Sequence, residues 1–195
     1  MSRSAQVKRD TKETQITVCL DLDGTGKSSL DTGIGFFDHM LDGFARHGLF
    51  DLTAVCRGDT HVDSHHSIED TGIVLGSAIS QAVGDKKGIR RYGSVILPMD
   101  EALVLCALDL SGRPYFVYDA QFHADRCGGM DTQMAKEFFY AVSYTAGMNL
   151  HIKVLYGDND HHMMEAMFKA FGKALDQAVS LDERISDVLS TKGVL

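Results

Sequence analysis

The chain has 195 residues, 44% of them apolar, and a formal net charge of −8 at pH 7. That size suits one domain, or two small fused halves with a real core. Scattered basic residues under an acidic balance argue against nucleic acid, and no apolar run approaches the roughly 20 residues that span a bilayer.

Met1 to Asp10 is polar and charged, with no apolar secretion segment, so a cytoplasmic protein is expected. Cys19, Cys56, Cys106 and Cys127 form no CxxC, and the first three sit in apolar segments as expected buried thiols.

The first strand is expected at 14–22, where Ile16, Val18, Leu20 and Leu22 share one face. A turn at Asp23-Gly24-Thr25-Gly26 leads to a short strand ending near Thr32. Phe36, Phe37, Met40, Leu41 and Phe44 fall at helical spacing, with Gly48 expected as the C-cap. Residues 50–57 read as a strand, and 65–83 as a helix capped by Asp63 or Ser64. A basic, glycine-flanked loop follows at 84–93. The pattern then restarts: strands at 94–99, 101–110 and 114–120, a helix at 134–146, a strand at 149–156, and a helix at 161–179 near Asn159 or Asp160.

Two motifs mislead. Val18-Cys19-Leu20-Asp21-Leu22-Asp23-Gly24-Thr25 imitates the DxDGT nucleophile of haloacid-dehalogenase phosphatases. That chemistry needs a parallel α/β sheet, whereas a hairpin is expected here. Gly26-Lys27-Ser28 imitates a P-loop, but Asp21 stands where the motif needs glycine, and its charge would repel phosphate.

The informative feature is a repeated sentence. His65-His66-Ser67-Ile68-Glu69 is HHxxE, and His161-His162-Met163-Met164-Glu165 is HHxxE again. Leu20-Asp21-Leu22-Asp23-Gly24 likewise recurs as Leu108-Asp109-Leu110-Ser111-Gly112. Two pseudo-repeats, about 10–84 and 93–182, make an α+β unit with helices on one sheet face. On a helix, a histidine and the glutamate four residues on share a face, while the adjacent histidine points about 100° away. One motif can therefore serve two ions. A lone HH pair is an ordinary surface feature; the duplication carries the argument. Imidazole and carboxylate donors suit borderline divalent ions such as Mn, Fe, Zn or Ni. His39 and Glu137, on corresponding helices, are the candidate extra ligands, whereas His123 and His151 read as structural.

With these stretches in hand, the chain closely resembles the imidazoleglycerol-phosphate dehydratase family. The resemblance rests on Thr11-Lys12-Glu13-Thr14, Phe36-Phe37-Asp38-His39-Met40-Leu41, Arg46-His47-Gly48, both HHxxE motifs, Leu110-Ser111-Gly112-Arg113-Pro114 and Lys192-Gly193-Val194-Leu195. It implies a duplicated ribosomal-protein-S5-domain-2-like α+β fold, 24-meric assembly, and two Mn2+ per subunit held between protomers. It implies the metal ligands His39, His65, His66, Glu69, Glu137, His161, His162 and Glu165, where many members have histidine at the position of Glu137. It further implies acid–base work by Glu13, with His47 beside it, and substrate contacts by His47, Arg91, Arg113, Lys169, Ser190 and Lys192. The implied reaction dehydrates D-erythro-1-(imidazol-4-yl)glycerol 3-phosphate to 3-(imidazol-4-yl)-2-oxopropyl phosphate in L-histidine biosynthesis. The expected course is a metal-bound imidazolate and a diazafulvene-like intermediate. A dinuclear metallohydrolase and a metal-organised assembly protein would share these ligands.

Overall fold

The structure is a computed structural model and describes residues 3–195. The first half runs β1 (Ser4–Asp10), β2 (Thr14–Asp21), β3 (Ser28–Asp31), α1 (Gly35–Gly48), β4 (Asp51–Gly58) and α2 (His65–Val83). The second runs β5 (Tyr92–Met99), β6 (Ala102–Asp109), β7 (Tyr115–Asp119), the small hairpin β8 (Arg126–Cys127) and β9 (Met130–Asp131), α3 (Met134–Ala146), β10 (Asn149–Tyr156) and α4 (Asp160–Val179). The sheets have the same topology, β1-β2-β4-β3 and β5-β6-β10-β7, so the fold is a duplicated α+β unit.

The helices of one half pack on those of the other: α1 on α4, and α2 on α3. Each sheet covers the outer side of this helix layer, with α2 on β1 and β2 and α4 on β5 and β6. Phenylalanines from both halves fill the join. Phe37 meets Phe138 edge-on at 5.3 Å between centroids, Phe138 stacks on Phe168 at 5.1 Å, and Phe44 stacks on Phe171 at 5.2 Å. All six are buried. Edge and offset aromatic pairs add to the area they remove from water.

Glycines let the helices meet backbone to backbone. A Cβ on Gly76 of α2 would lie 2.7 Å from the Val142 carbonyl oxygen of α3. One on Gly172 of α4 would lie 2.4 Å from the Phe44 carbonyl oxygen of α1.

Four local expectations change. No strand was expected before residue 14, yet β1 pairs antiparallel with β2 along its whole length. Its alternation is hidden because one face of this edge strand lies in solvent and carries Lys8 and Asp10. Gly48 is not the C-cap of α1 but its last helical residue, buried at the crossing, where its Cβ would strike Phe50 at 2.4 Å. Leu49 takes the left-handed C-cap at φ 60°, the place Gly147 fills after α3 at φ 65°.

The turn after β2 also makes no hairpin with β3. The chain crosses the end of β4, and β3 pairs parallel with it. Asp51 Oδ1 fixes that crossing by accepting the Thr25 and Lys27 amides at 2.8 and 3.0 Å. The amides that a P-loop would turn toward phosphate are thus engaged by a carboxylate. Cys19 points to the outer face and is half-buried, whereas Cys56 and Cys106 are buried.

Candidate functional site

The second HHxxE motif meets His39. Asn159 caps α4 by accepting the His161 and His162 amides, which sets both histidines in the first turn. Glu165, one turn on, lies beneath His161. Its Oε2 is 3.2 Å from His161 Nε2 and 3.4 Å from His39 Nε2, delivered by α1. Its Oε1 accepts from Lys169 Nζ at 2.6 Å. Burial alone would raise the Glu165 carboxyl, but the Lys169 ammonium, His39 and His161 outweigh it and hold it below its usual value. His47 titrates lower than an ordinary histidine because burial, then Lys169 and Lys173, disfavour its cation.

His39, His161 and Glu165 form the one set, among the described residues, whose ligand atoms all lie within 4.8 Å of one another. Two imidazole nitrogens and one carboxylate oxygen converging this closely fit a borderline divalent ion with open positions for further ligands.

The first motif forms a looser counterpart. His65 Nε2 is 3.4 Å from Glu69 Oε2, again at i,i+4 on α2. His65 and Glu137 of α3 line one cavity of about 140 Å3. Asp63 supports this end by accepting the His65 amide at 2.7 Å, while Ser64 makes no side-chain cap.

The second histidine of each pair has a different setting. His66 donates from Nδ1 to both Asp59 oxygens, at 3.2 and 3.1 Å, and its Nε2 is 3.9 Å from Glu13 Oε2. Glu13 stands at the exposed tip between β1 and β2. His162 donates from Nδ1 to Glu101 Oε2 at 2.7 Å. The other Glu101 oxygen accepts the Asp158 and Asn159 amides at 3.3 and 2.8 Å. These bonds, His162 first, draw the Glu101 carboxyl down to about 2. Sequence reasoning gave neither Asp59 nor Glu101 a role at the site. Glu101 could have been found by the repeat, because the offset that aligns Leu20 with Leu108 also aligns Glu13 with Glu101.

The cationic candidates other than Lys169 lie elsewhere. Arg91 and Ser190 line an open cavity of about 550 Å3. Arg91 grips Asp109 with Nε and Nη2 at 2.6 and 3.0 Å and donates Nη1 to the Leu189 carbonyl at 2.7 Å, tying down the C-terminal loop. Within that loop the Ser190 hydroxyl accepts the Lys192 amide at 3.2 Å. Arg113 lies on the loop before β7, where its carbonyl accepts from Asn149 at 2.6 Å. Lys86, unmarked in the sequence, is held below the usual lysine value by burial, with Arg91 and Arg113 adding to the effect. His123 proves a loop fastener: its Nδ1 and amide both donate to the buried Asp160 carboxylate at 3.0 Å.

A duplicated α+β fold whose two helix pairs each gather histidines and carboxylates defines an enzyme of the lyase class once its relatives are considered. The family model described as imidazoleglycerol-phosphate dehydratase matches residues 32–175. The imidazoleglycerol-phosphate dehydratases of Lachnoclostridium phytofermentans and Acetivibrio thermocellus are 64% and 60% identical over 195 residues, covering 100% of both chains in each case. The crystal structure of imidazoleglycerol-phosphate dehydratase from Staphylococcus aureus has a TM-score of 0.83 at 37% identity, covering 92% of this chain and 99% of its own. That from Pyrococcus furiosus, in complex with (S)-C348, has a TM-score of 0.84 at 36% identity, covering 97% and 100%. The chain belongs to the imidazoleglycerol-phosphate dehydratase family: it is a hydro-lyase of histidine biosynthesis.

Proposed function

We propose that the chain dehydrates D-erythro-1-(imidazol-4-yl)glycerol 3-phosphate at sites that hold Mn2+, with Glu13 as the acid–base group. The observation that carries this is the convergence of His39, His161 and Glu165 within 4.8 Å. The counterpart ligands are His65, Glu69 and Glu137. His66 and His162 supply the remaining donors, and their absence from the converged set supports sites completed between protomers of a homo-oligomer, 24-meric as in the resemblance. Bound Mn2+ would act as a Lewis acid on the substrate imidazole.

The chain's own groups do the rest. The proton to be removed sits on a carbon bearing only a hydroxyl, so a carboxylate cannot take it directly at a useful rate. The neighbouring hydroxyl leaves as water with the proton given up at the ring nitrogen, and the ring's electrons close to a neutral diazafulvene whose C–H is acidic. Glu13, exposed on its turn and 3.9 Å from His66 Nε2, would accept that proton. The enol then tautomerises to the ketone. Burial and then the Lys169 and Lys173 ammonium groups hold His47 below the usual histidine value. Arg91 and Arg113, with Ser190, Lys192 and Lys169, would receive the phosphate, and Arg91 is already oriented by Asp109.

The test is to incubate Mn2+-loaded protein with imidazoleglycerol phosphate and read the keto product by its absorbance after alkali. Product is expected from the native protein. Turnover should fall about 10²- to 10⁴-fold in Glu13→Gln, the usual contribution of a positioned acid–base group. Unchanged turnover in that variant would remove Glu13 from the mechanism, and no product from the native protein would sink the reading.

A further inference from the structure

Two carboxylates stand behind the second histidines of the two HHxxE motifs and come from places the motifs do not announce. Asp59 follows β4 and holds His66 Nδ1 at 3.1 Å. Glu101 lies in the β5–β6 turn and holds His162 Nδ1 at 2.7 Å. A carboxylate on Nδ1 fixes the tautomer with its proton there, leaving the Nε2 lone pair facing outward. The histidines of the converged set, His39 and His161, reach Glu165 by the same nitrogen, Nε2. Yet His66 and His162, which join no converged set in their own chain, are the two motif histidines with a carboxylate on Nδ1.

The halves reach this state by different routes. Glu13 and Glu101 occupy equivalent turns of the repeat. Glu101 is fully engaged by His162 and two loop amides. Glu13 is tied to the equivalent loop by its backbone, its carbonyl accepting the Asp59 amide at 3.1 Å, while its carboxylate reaches only to within 3.9 Å of His66 Nε2. The first loop is longer: Thr60 to Ser64 separate Asp59 from His65, whereas Asn159 and Asp160 alone separate Asp158 from His161. That added length lets Asp59 turn back to His66 and take the position a glutamate holds in the other half. The Glu13 carboxylate is thereby left on the surface.

We infer that Asp59 and Glu101 are positioning residues that set the His66 and His162 rings for metal, and that the Asp59 loop releases Glu13 from this task for proton transfer. The inference rests on the metal-dependent reading above. It is tested by Mn2+ titration of the intact assembly, followed by calorimetry and metal content per subunit, with particle size and thermal unfolding recorded for each variant. Asp59→Asn and Glu101→Gln keep shape while turning an acceptor toward an amide. Each should weaken Mn2+ binding about 10- to 100-fold, with Glu101→Asp recovering part of the loss. Glu13→Gln, at the position equivalent to Glu101, should bind Mn2+ as the native protein does. Native-like affinity in both Asp59→Asn and Glu101→Gln would overturn the inference, as would an equal loss in Glu13→Gln. Failure of the native protein to bind Mn2+ would instead sink the metal reading itself.

Discussion

The two candidate ligand clusters are built from the same motif and differ in how tightly they are held. The α1/α4 cluster is compact: the Glu165 side chain is 10% exposed and answers His39, His161 and Lys169 together. The α2/α3 cluster is open: the Glu69 side chain is 39% exposed and forms an ion pair with His65 alone among the described residues, with Glu137 in place of an imidazole. The difference shows that duplication preserves a ligand pattern while the surroundings set charge and exposure separately.

The sharpest way to break that comparison is to remove the two motif glutamates in parallel. Glu165→Gln leaves the Lys169 ammonium uncompensated beside two histidines, so Mn2+ affinity should fall by more than about 100-fold, beyond the usual effect of an outer partner. Glu69→Gln should weaken binding less, because no buried ammonium is left behind. Mn2+ titration with metal counted per subunit would show it, and equal losses would mean the clusters are not differentiated.

A smaller effect is expected where the halves touch. Gly172→Ala puts a Cβ against the Phe44 carbonyl at 2.4 Å, with Gly48 N at 3.1 Å. The cost should be about 1–3 kcal/mol, typical of overpacking. Thermal unfolding measures it, and a neutral result would mean that α1 and α4 can part without penalty.

The least effect separates the two C-caps. Leu49 holds φ 60° where the other half uses Gly147. Leu49→Gly should raise stability by about 0.5–1 kcal/mol by relieving left-handed strain. A lower unfolding temperature would show that the half-exposed leucine earns its place by contact instead.

Much of this was legible in the sequence because periodicity reports burial. Ile16, Val18 and Leu20 alternate inward, and the HHxxE helices begin at residues whose caps are encoded nearby. Three things were not legible. β1 hid its inward alternation among surface charges on an edge strand. The path from β2 to β3 looked like a hairpin because nothing local says that Asp51 will capture its amides from a later strand. Asp59 and Glu101 could not be paired with their histidines by spacing, since one lies 7 residues away and the other 61. Contacts fixed by tertiary approach leave no period to read.

The exchange of helix partners across the join has a mechanical consequence. His39 comes from the first half and His161 with Glu165 from the second; Glu137 comes from the second and His65 with Glu69 from the first. Any ion gripped by either trio is therefore a clasp between the halves. Its binding energy counts against their separation by mass action, so loading the sites and holding the fold shut become a single act.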